Sequence, residues 1–150
     1  MRLFLTYMRT IHPQNRLPSR ADFDPLCIPR LLPGIVLVKV ERTTPDGILL
    51  TSPRFRVLVA GETVLHASPV PMMGRYIDEI AAAIAGGQVV VDVRQRVVET
   101  GTTYYWNGRP RMAFRFDFAG LEYCHCPLAA DGRTVDHVAS FFHYKGINRG

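Results

Sequence analysis

The residues best suited to chemistry stand together in the stretch LEYCHCPL, residues 121–128. Cys124, His125 and Cys126 carry two thiols and an imidazole, which can bind zinc or take part in redox reactions. Neighbouring side chains on a β-strand point to opposite faces, so the cysteines share one face, about 7 Å apart, and the histidine lies on the other. One zinc ion needs all its ligands at about 2.0–2.3 Å. The pattern therefore favours buried thiols that pack as small apolar groups, with redox-reactive thiols or a metal site as alternatives.

The register of a predicted hairpin decides what faces these residues. The alternating stretch MAFRFDF (residues 112–118) predicts a strand, and Ala119-Gly120 predicts a two-residue turn. The facing pairs would then be Phe118 with Leu121, Phe116 with Tyr123, Phe114 with His125, and Arg115 with Cys124. This register places His125 on an aromatic face and puts Arg115 beside the thiols, where its charge would lower their pKa. A loop one residue longer or shorter would reverse the faces.

The sequence contains few other patterns that indicate a catalytic, nucleotide-binding or metal site. The chain has no Gly-x-Ser-x-Gly elbow, no phosphate-binding loop and no dinucleotide-binding glycine pattern. His137 and His143 share one face of the last predicted strand but stand about 20 Å apart, too far for one metal ion. We therefore assign no catalytic residue and no metal ligand and expect a protein that is not an enzyme. An enzyme is a third alternative, which rests only on the cluster of Cys124, His125 and Cys126.

The elements that must position these residues begin with an amphipathic helix at the N-terminus. Its apolar positions follow helical spacing: Phe4, Tyr7, Met8 and Ile11. This helix could cover the outer face of the sheet or form a dimer contact. Asp24-Pro25 has the pattern of a helix start, with a capping aspartate and a proline at the first position, and predicts a helix over residues 25–32.

The middle of the chain predicts two strands followed by helices. Apolar, β-branched runs predict strands over residues 35–41 and 54–61. A short helix follows over residues 61–65. A longer helix over residues 74–87 ends at a pair of glycines.

The stretch QVVVDVRQRVVET, residues 88–100, fits both a strand and a helix. Valine favours strands, but thirteen residues are long for one. Four valines recur at helical spacing: Val90, Val93, Val97 and Val98. A helix is therefore favoured, with its polar residues facing water: Asp92, Arg94, Gln95 and Arg96. The rest of the chain is strand-like, so the order is a helical N-terminus, two strands, helices and three strands, which is typical of an α+β fold with an antiparallel sheet.

Composition restricts the class of protein. The chain has 150 residues and a net charge of +5, with 16 arginines scattered along it against two lysines. Scattered charge gives little support for nucleic acid as a partner. Three cysteines without framework spacing fit a reducing cytoplasm. No apolar run approaches the roughly 20 residues of a membrane helix, and the start lacks the features of a signal peptide, so we expect a cytoplasmic protein without a membrane partner.

The order of elements and several motifs resemble a known family. The motifs are LPSRADFDPLCIPRLLPGIVLVKV (residues 17–40), FRVLVAGET (55–63), GRYIDEI (74–80), RVVETG (96–101) and CPLAADGRTVDHV (126–138). Together they are similar to PAS domains, and in particular to the small single-domain PAS proteins of alphaproteobacteria. The resemblance implies that residues 88–100 form the helix before the third strand. It also implies a five-stranded antiparallel sheet with short helices on one face, comprising residues 34–146, after a helical extension over residues 1–33.

The resemblance implies a function as well as a fold. PAS domains are sensory and protein-interaction modules whose sheet curls around helices to form an interior pocket. The candidates for lining such a pocket are His66, Tyr76, Tyr104, Trp106, Phe114, Phe116 and His125. We expect a regulatory module in signal transduction that binds a small ligand there, or a protein partner, as a homodimer. The alternative is a ligand-free interaction or dimerisation adaptor.

Cofactors within the PAS family differ, and the sequence offers limited support for any of them. Some haem-binding PAS domains use an axial histidine from the helical region, a place that His66 could occupy here. Trp106 with Tyr104 and Tyr105 could stack on a planar ligand. A cysteine-based flavin photosensor would need a cysteine between the second and third strands, and this sequence has none there. The cofactor therefore stays open: none, haem or another planar ligand, with a redox sensor as a further alternative.

Overall fold

A five-stranded antiparallel sheet forms the centre of the molecule, and its fold is α+β, as the sequence predicts. The computed structural model describes residues 1–147. In chain order the elements are α1 (Arg2–Ile11), two 3₁₀ turns (Pro25–Cys27 and Pro29–Gly34), β1 (Ile35–Thr43), β2 (Leu49–Ala60), α2 (Glu62–Ala67), α3 (Ile77–Ala82), α4 (Gln88–Thr100), β3 (Tyr104–Gly108), β4 (Phe118–Leu128) and β5 (His137–Ile147). The strands lie side by side in the order β2-β1-β5-β4-β3, and every neighbouring pair is antiparallel.

The two faces of the sheet pack against different layers. Helices α2, α3 and α4 cover the inner face, where alternate strand residues such as Val36, Val38 and Tyr123 enter the larger apolar core. The residues between them point to the outer face, where α1 and the 3₁₀ turns form a second core with Leu37 and Phe141. Both faces are buried because the strands alternate their side chains between two apolar layers.

Helix α1 lies on the outer face, as one of the two interpretations of its apolar spacing predicted. Phe4 is fully buried, with its ring centroid 5.5 Å from that of Phe141 and 6.5 Å from that of Phe23. The hydroxyl of Tyr7 accepts a hydrogen bond from the backbone N–H of Asp24 at 2.7 Å and lies 2.9 Å from its carbonyl oxygen. The N-terminal segment is thus fastened to the sheet by both apolar packing and hydrogen bonds.

Several predicted helices and strands have different bounds in the structure. The helix predicted over residues 25–32 is two 3₁₀ turns, because Pro29 and Pro33 lack the N–H that an α-helix requires. Asp24 does cap the first turn, accepting from the N–H of Leu26 at 3.0 Å. The second strand begins earlier than predicted, and the helix predicted over residues 74–87 is confined to α3. Gly74 and Gly86 both have positive φ, which places them in turns.

Residues 88–100 are helical, as predicted, and glycine ends the helix. Gly101 adopts φ 63°, and its N–H bonds to the carbonyl of Val97 at 2.9 Å. This left-handed cap is favourable for glycine, which has no Cβ. The prediction that Arg94 faces water is wrong. Arg94 lies on the same side as Val91 and Val97 and points into the core.

The prediction that residues 112–118 form a strand is wrong, although the burial of this stretch does alternate. Residues 109–117 form a loop that leaves the sheet and crosses the helical layer. The N–H of Ala113 bonds to the carbonyl of Ala85 at 2.9 Å, and the N–H of Arg115 to that of Ala67 at 2.8 Å. These two amides therefore bond to the last residue of α2 and to the turn between α3 and α4 instead of to a neighbouring strand.

The strand β4 consequently pairs with β3 in a register that differs from the predicted hairpin. Tyr104 stands opposite His125, Tyr105 opposite Cys124, and Trp106 opposite Tyr123.

No helix within residues 1–147 combines the length and the apolar character needed to cross a bilayer.

Candidate ligand-binding cavity

A cavity of about 60 Å³ lies between the inner face of the sheet and the helices α2, α3 and α4. Apolar side chains from all these layers make up most of its wall, among them Val64, Met72, Ile80, Ile84, Phe114 and Phe142. The loop 109–117 supplies Phe114, whose ring packs edge-on against Phe118 with centroids 4.9 Å apart. Strand, helix and loop together therefore line the cavity.

The size of the cavity limits what it can hold. One water molecule needs roughly 10–15 Å³ of such space, whereas pockets for drug-sized ligands hold about 300 Å³ or more. A volume of about 60 Å³ suits a compact molecule of a few non-hydrogen atoms. The residues present do not fit haem, because the cavity is far smaller than the macrocycle and His66 stands outside it on the exposed side of α2.

Arg94 is the most unusual residue of the cavity wall. Only 2% of its surface is exposed, and its Nη1 donates to the carbonyl of Val90 at 2.9 Å. Its Nε has no hydrogen-bond partner in the described part of the chain. Burial lowers the pKa of the guanidinium to about 10, with Tyr123 opposing the change. Arg94 therefore stays protonated at neutral pH and places a positive charge in an apolar interior.

His125 supplies a second buried polar group. It has no exposed surface, and its Nδ1 lies 2.5 Å from the hydroxyl of Ser140 on β5. Within residues 1–147 its Nε2 has no partner. Burial first, and the charge of Arg94 second, lower the pKa of His125 well below its usual range, so the imidazole is neutral. The neutral ring carries its proton on Nε2 if the Ser140 hydroxyl donates to Nδ1, and on Nδ1 if that hydroxyl accepts.

Arg111, on the loop 109–117, stands at the edge of the same cavity. Its guanidinium lies 4.5 Å from the centre of the Trp106 ring, and its Nη2 donates to the hydroxyls of Tyr123 at 2.9 Å and Tyr104 at 3.4 Å. Hydrogen bonding to Tyr104 raises the pKa of Arg111. The residue is exposed, so the cavity has one positive charge at its mouth and another in its depth.

Three of the seven predicted pocket residues line the cavity, and four do not. Trp106, Phe114 and His125 belong to the wall. Tyr104 stands just outside it, with its ring stacked 6.4 Å from that of His125. His66 and Phe116 pack against each other elsewhere, with ring centroids 6.3 Å apart.

Tyr76, the fourth residue outside the wall, belongs to a polar cluster between β2 and α3. Its hydroxyl donates to Glu41 at 2.6 Å and accepts from Arg56 at 2.7 Å. The guanidinium of Arg54 lies 3.7 Å from the centre of its ring. These contacts give Tyr76 a structural place that joins the helix to the sheet.

The two cysteines that attract attention in the sequence lie on the outer face, away from the cavity. Cys124 and Cys126 pack with Phe4 and Met8, while His125 points inward, as strand alternation predicts. Arg115 is exposed on the loop and does not face Cys124, so the predicted charge beside the thiols is wrong. The thiol of Cys126 and burial raise the pKa of Cys124, which disfavours a reactive thiolate.

Sequence reasoning missed the two arginines of the cavity. Arg94 is four residues after Val90 and three before Val97, so helical spacing could have placed it on the apolar face. Arg111 had no sequence signal, because its position depends on the path of the loop. In the part of the chain that the structure describes, no three His, Cys, Asp or Glu side chains converge as metal ligands.

No protein-family model matches the chain, and the search of curated proteins gave no match. The functional assignment therefore rests on the sequence and on the geometry of the cavity.

Proposed function

We propose that the protein is a non-enzymatic, PAS-type sensory or regulatory module that binds a small molecule in the cavity between its sheet and its helices. The observation that carries this proposal is the cavity itself, with the buried polar groups of Arg94 and His125 in a wall that is mostly apolar. Pockets that combine apolar walls with a few convergent polar groups are typical of ligand sites. In this proposal the protein acts in the cytoplasm, as a homodimer or on a protein partner.

The arrangement of elements supports the PAS assignment. Helices α2, α3 and α4 lie between the second and third strands in sequence and pack on the inner face of the sheet, with the hollow between them. That is the arrangement the sequence resemblance implies. Binding would change the activity of the module only through a different affinity for two of its conformations.

The test compares a cavity-filling variant with a matched surface variant. Val64 lines the cavity and Val59 is exposed on β2, so Val64→Phe fills the hollow while Val59→Phe leaves it open. Mass spectrometry of the purified protein under native and denaturing conditions would first reveal any co-purified molecule. Thermal unfolding with a panel of small molecules, neutral and charged, would then identify binders.

We expect a binder to raise the melting temperature of the wild type and of Val59→Phe. At about 100 times its dissociation constant a ligand adds roughly 2.7 kcal/mol, and each kcal/mol raises the melting temperature by about 2–4 °C in a chain of this size. Val64→Phe should lose the response. If no molecule of any charge binds the wild type, or if Val64→Phe responds equally, the proposal is wrong.

A ligand-free interaction adaptor is the second candidate, and one surface feature favours it. Strand β2 is an edge of the sheet; its first residue, Leu49, is 77% exposed and the preceding Ile48 is 64% exposed. Edge strands with exposed apolar residues are suited to pairing with another chain. Analytical ultracentrifugation of the wild type and of Leu49→Lys would test it. Dimers that are abolished by the substitution, without any small-molecule binding, would favour the adaptor.

A further inference from the structure

We propose that the ligand of the cavity is a small carboxylate with a short apolar tail, held by Arg94 and His125. The inference rests on the proposed function, because it takes the cavity to be the ligand site. It adds the chemical class of the ligand and the two groups that recognise it.

The charge of the cavity wall is the first argument. Arg94 and Arg111 both line the cavity, and among residues 1–147 no aspartate or glutamate does. The ion pairs of this part of the chain involve Arg54, Arg56 and other surface groups, and none includes Arg94. A buried charge without a counter-ion is unfavourable, so the site is complementary to an anion.

The unused hydrogen-bonding atoms are the second argument. Nε of Arg94 and Nε2 of His125 are both buried without partners in the described residues, and both side chains face the same cavity. Buried polar atoms are normally paired, so two such atoms at one cavity indicate a missing hydrogen-bond partner, which for Arg94 must be an acceptor. A carboxylate offers two acceptor oxygens, one for the guanidinium and one for the imidazole N–H. The inference takes His125 in the tautomer with its proton on Nε2, in which the Ser140 hydroxyl donates to Nδ1.

The apolar part of the cavity wall restricts what the rest of the ligand can be. Apart from the polar groups named above and Ser68, whose hydroxyl donates to the carbonyl of Val70 at 2.7 Å, it is formed by aliphatic, thioether and aromatic side chains, among them Met72, Ile80 and Phe142. These groups would exclude a strongly hydrated dianion such as phosphate but would bury a short hydrocarbon tail. The volume of about 60 Å³ restricts that tail to a few carbons. Arg111, exposed at the edge, attracts anions toward the entrance.

The experiment uses three compounds of similar length: butyrate, its isosteric amide butyramide, and the cation n-butylamine. Binding to the full-length protein is measured by isothermal titration calorimetry in a chloride buffer free of carboxylates. We expect butyrate to bind about 10- to 100-fold more tightly than butyramide, because hydrogen bonds to charged groups are stronger than those to neutral ones. Butylamine should not bind. Inorganic phosphate, which has no tail, should bind more weakly than butyrate.

Two variants on α4 test the role of Arg94. Arg94→Met removes the buried charge and keeps an apolar side chain, while Arg96→Met makes the same change at an exposed position of the same helix. We expect Arg94→Met to abolish the preference for butyrate over butyramide and Arg96→Met to retain it. The comparison of compounds on the wild type stands without either variant, so a poorly folded Arg94→Met would not remove the test.

The outcomes separate this inference from the proposed function. If butyrate and butyramide bind the wild type equally, or if Arg94→Met keeps the preference, the carboxylate inference is wrong while the cavity remains a ligand site. If phosphate binds as tightly as butyrate, the apolar tail plays no part and the inference is again wrong. If no compound in this series or in the broader panel binds, both proposals are wrong.

Discussion

Replacing Arg94 by methionine should make the ligand-free protein more stable, although most substitutions of fully buried residues destabilise. Burial lowers the pKa of Arg94 to about 10, whereas an ordinary arginine titrates more than about two pKa units higher. At about 1.36 kcal/mol per unit, the charged form loses roughly 3 kcal/mol by being buried. The substitution also removes the hydrogen bond from Nη1 to the carbonyl of Val90, worth about 1 kcal/mol. The expected net gain is about 1–3 kcal/mol.

Urea unfolding at pH 7 in a carboxylate-free chloride buffer measures this gain, with Arg96→Met as the control. The exposed Arg96 should change the free energy of unfolding by no more than about 0.5 kcal/mol. Methionine is suited to the test because its flexible side chain can fill an irregular space. A loss of 1 kcal/mol or more in Arg94→Met, relative to Arg96→Met, would show that Arg94 is a structural residue that the apo protein needs. That result would refute the reasoning.

Three further predictions concern the other buried groups. Burial, and then the charge of Arg94, lower the pKa of His125, so on acidification the unfolded chain takes up a proton at this residue before the folded protein does. The free energy of unfolding should therefore fall below about pH 6.5, by up to about 1.36 kcal/mol per pH unit. Unfolding titrations from pH 5 to 8 should show a shallower slope for His125→Gln, and an unchanged slope would contradict this assignment. Phe4→Ala should lower the free energy of unfolding in urea by about 3–5 kcal/mol, because Phe4 is fully buried. Leu3→Ala, at a side chain that is 51% exposed, should lower it by no more than about 0.5 kcal/mol. Equal effects would show that α1 does not pack on the sheet. A thiol reagent should modify one cysteine quickly in the native protein and all three in denaturant, and Cys27→Ser should remove the fast reaction; rapid modification of a second native thiol would contradict the burial of the other two.

The local sequence pattern predicted the secondary structure correctly wherever the backbone hydrogen bonds stay within one helix or join adjacent strands. Residues 88–100 illustrate this, because helical spacing and the glycine that follows agree despite the many valines. The strand alternation around His125 is a second example, since it places the imidazole and the neighbouring thiols on opposite faces. In both cases the repeat of the element alone determines which side chains are buried.

The predictions were wrong where contacts between distant parts of the chain determine the conformation or the burial of a residue. Residues 112–118 alternate like a strand, but the inward residues cover helices. The amides of Ala113 and Arg115 bond to carbonyls of the α3–α4 turn and of the end of α2. Nothing in the local pattern distinguishes these partners from a neighbouring strand. Arg94 was expected in water because charged residues are rarely buried. A functional site is where such a rule is most often broken, and the cavity wall contains this exception.

Strand β4 is the shared wall of two compartments, and this has a mechanical consequence. His125 touches the hollow on one side, while Cys124 and Cys126, bonded to it through the backbone, press on Phe4 and Met8 on the other. A backbone displacement at the imidazole therefore shifts the thiols by a comparable amount, without any relay of intermediate side chains. The cavity and the core beneath α1 are therefore separated only by the backbone of β4.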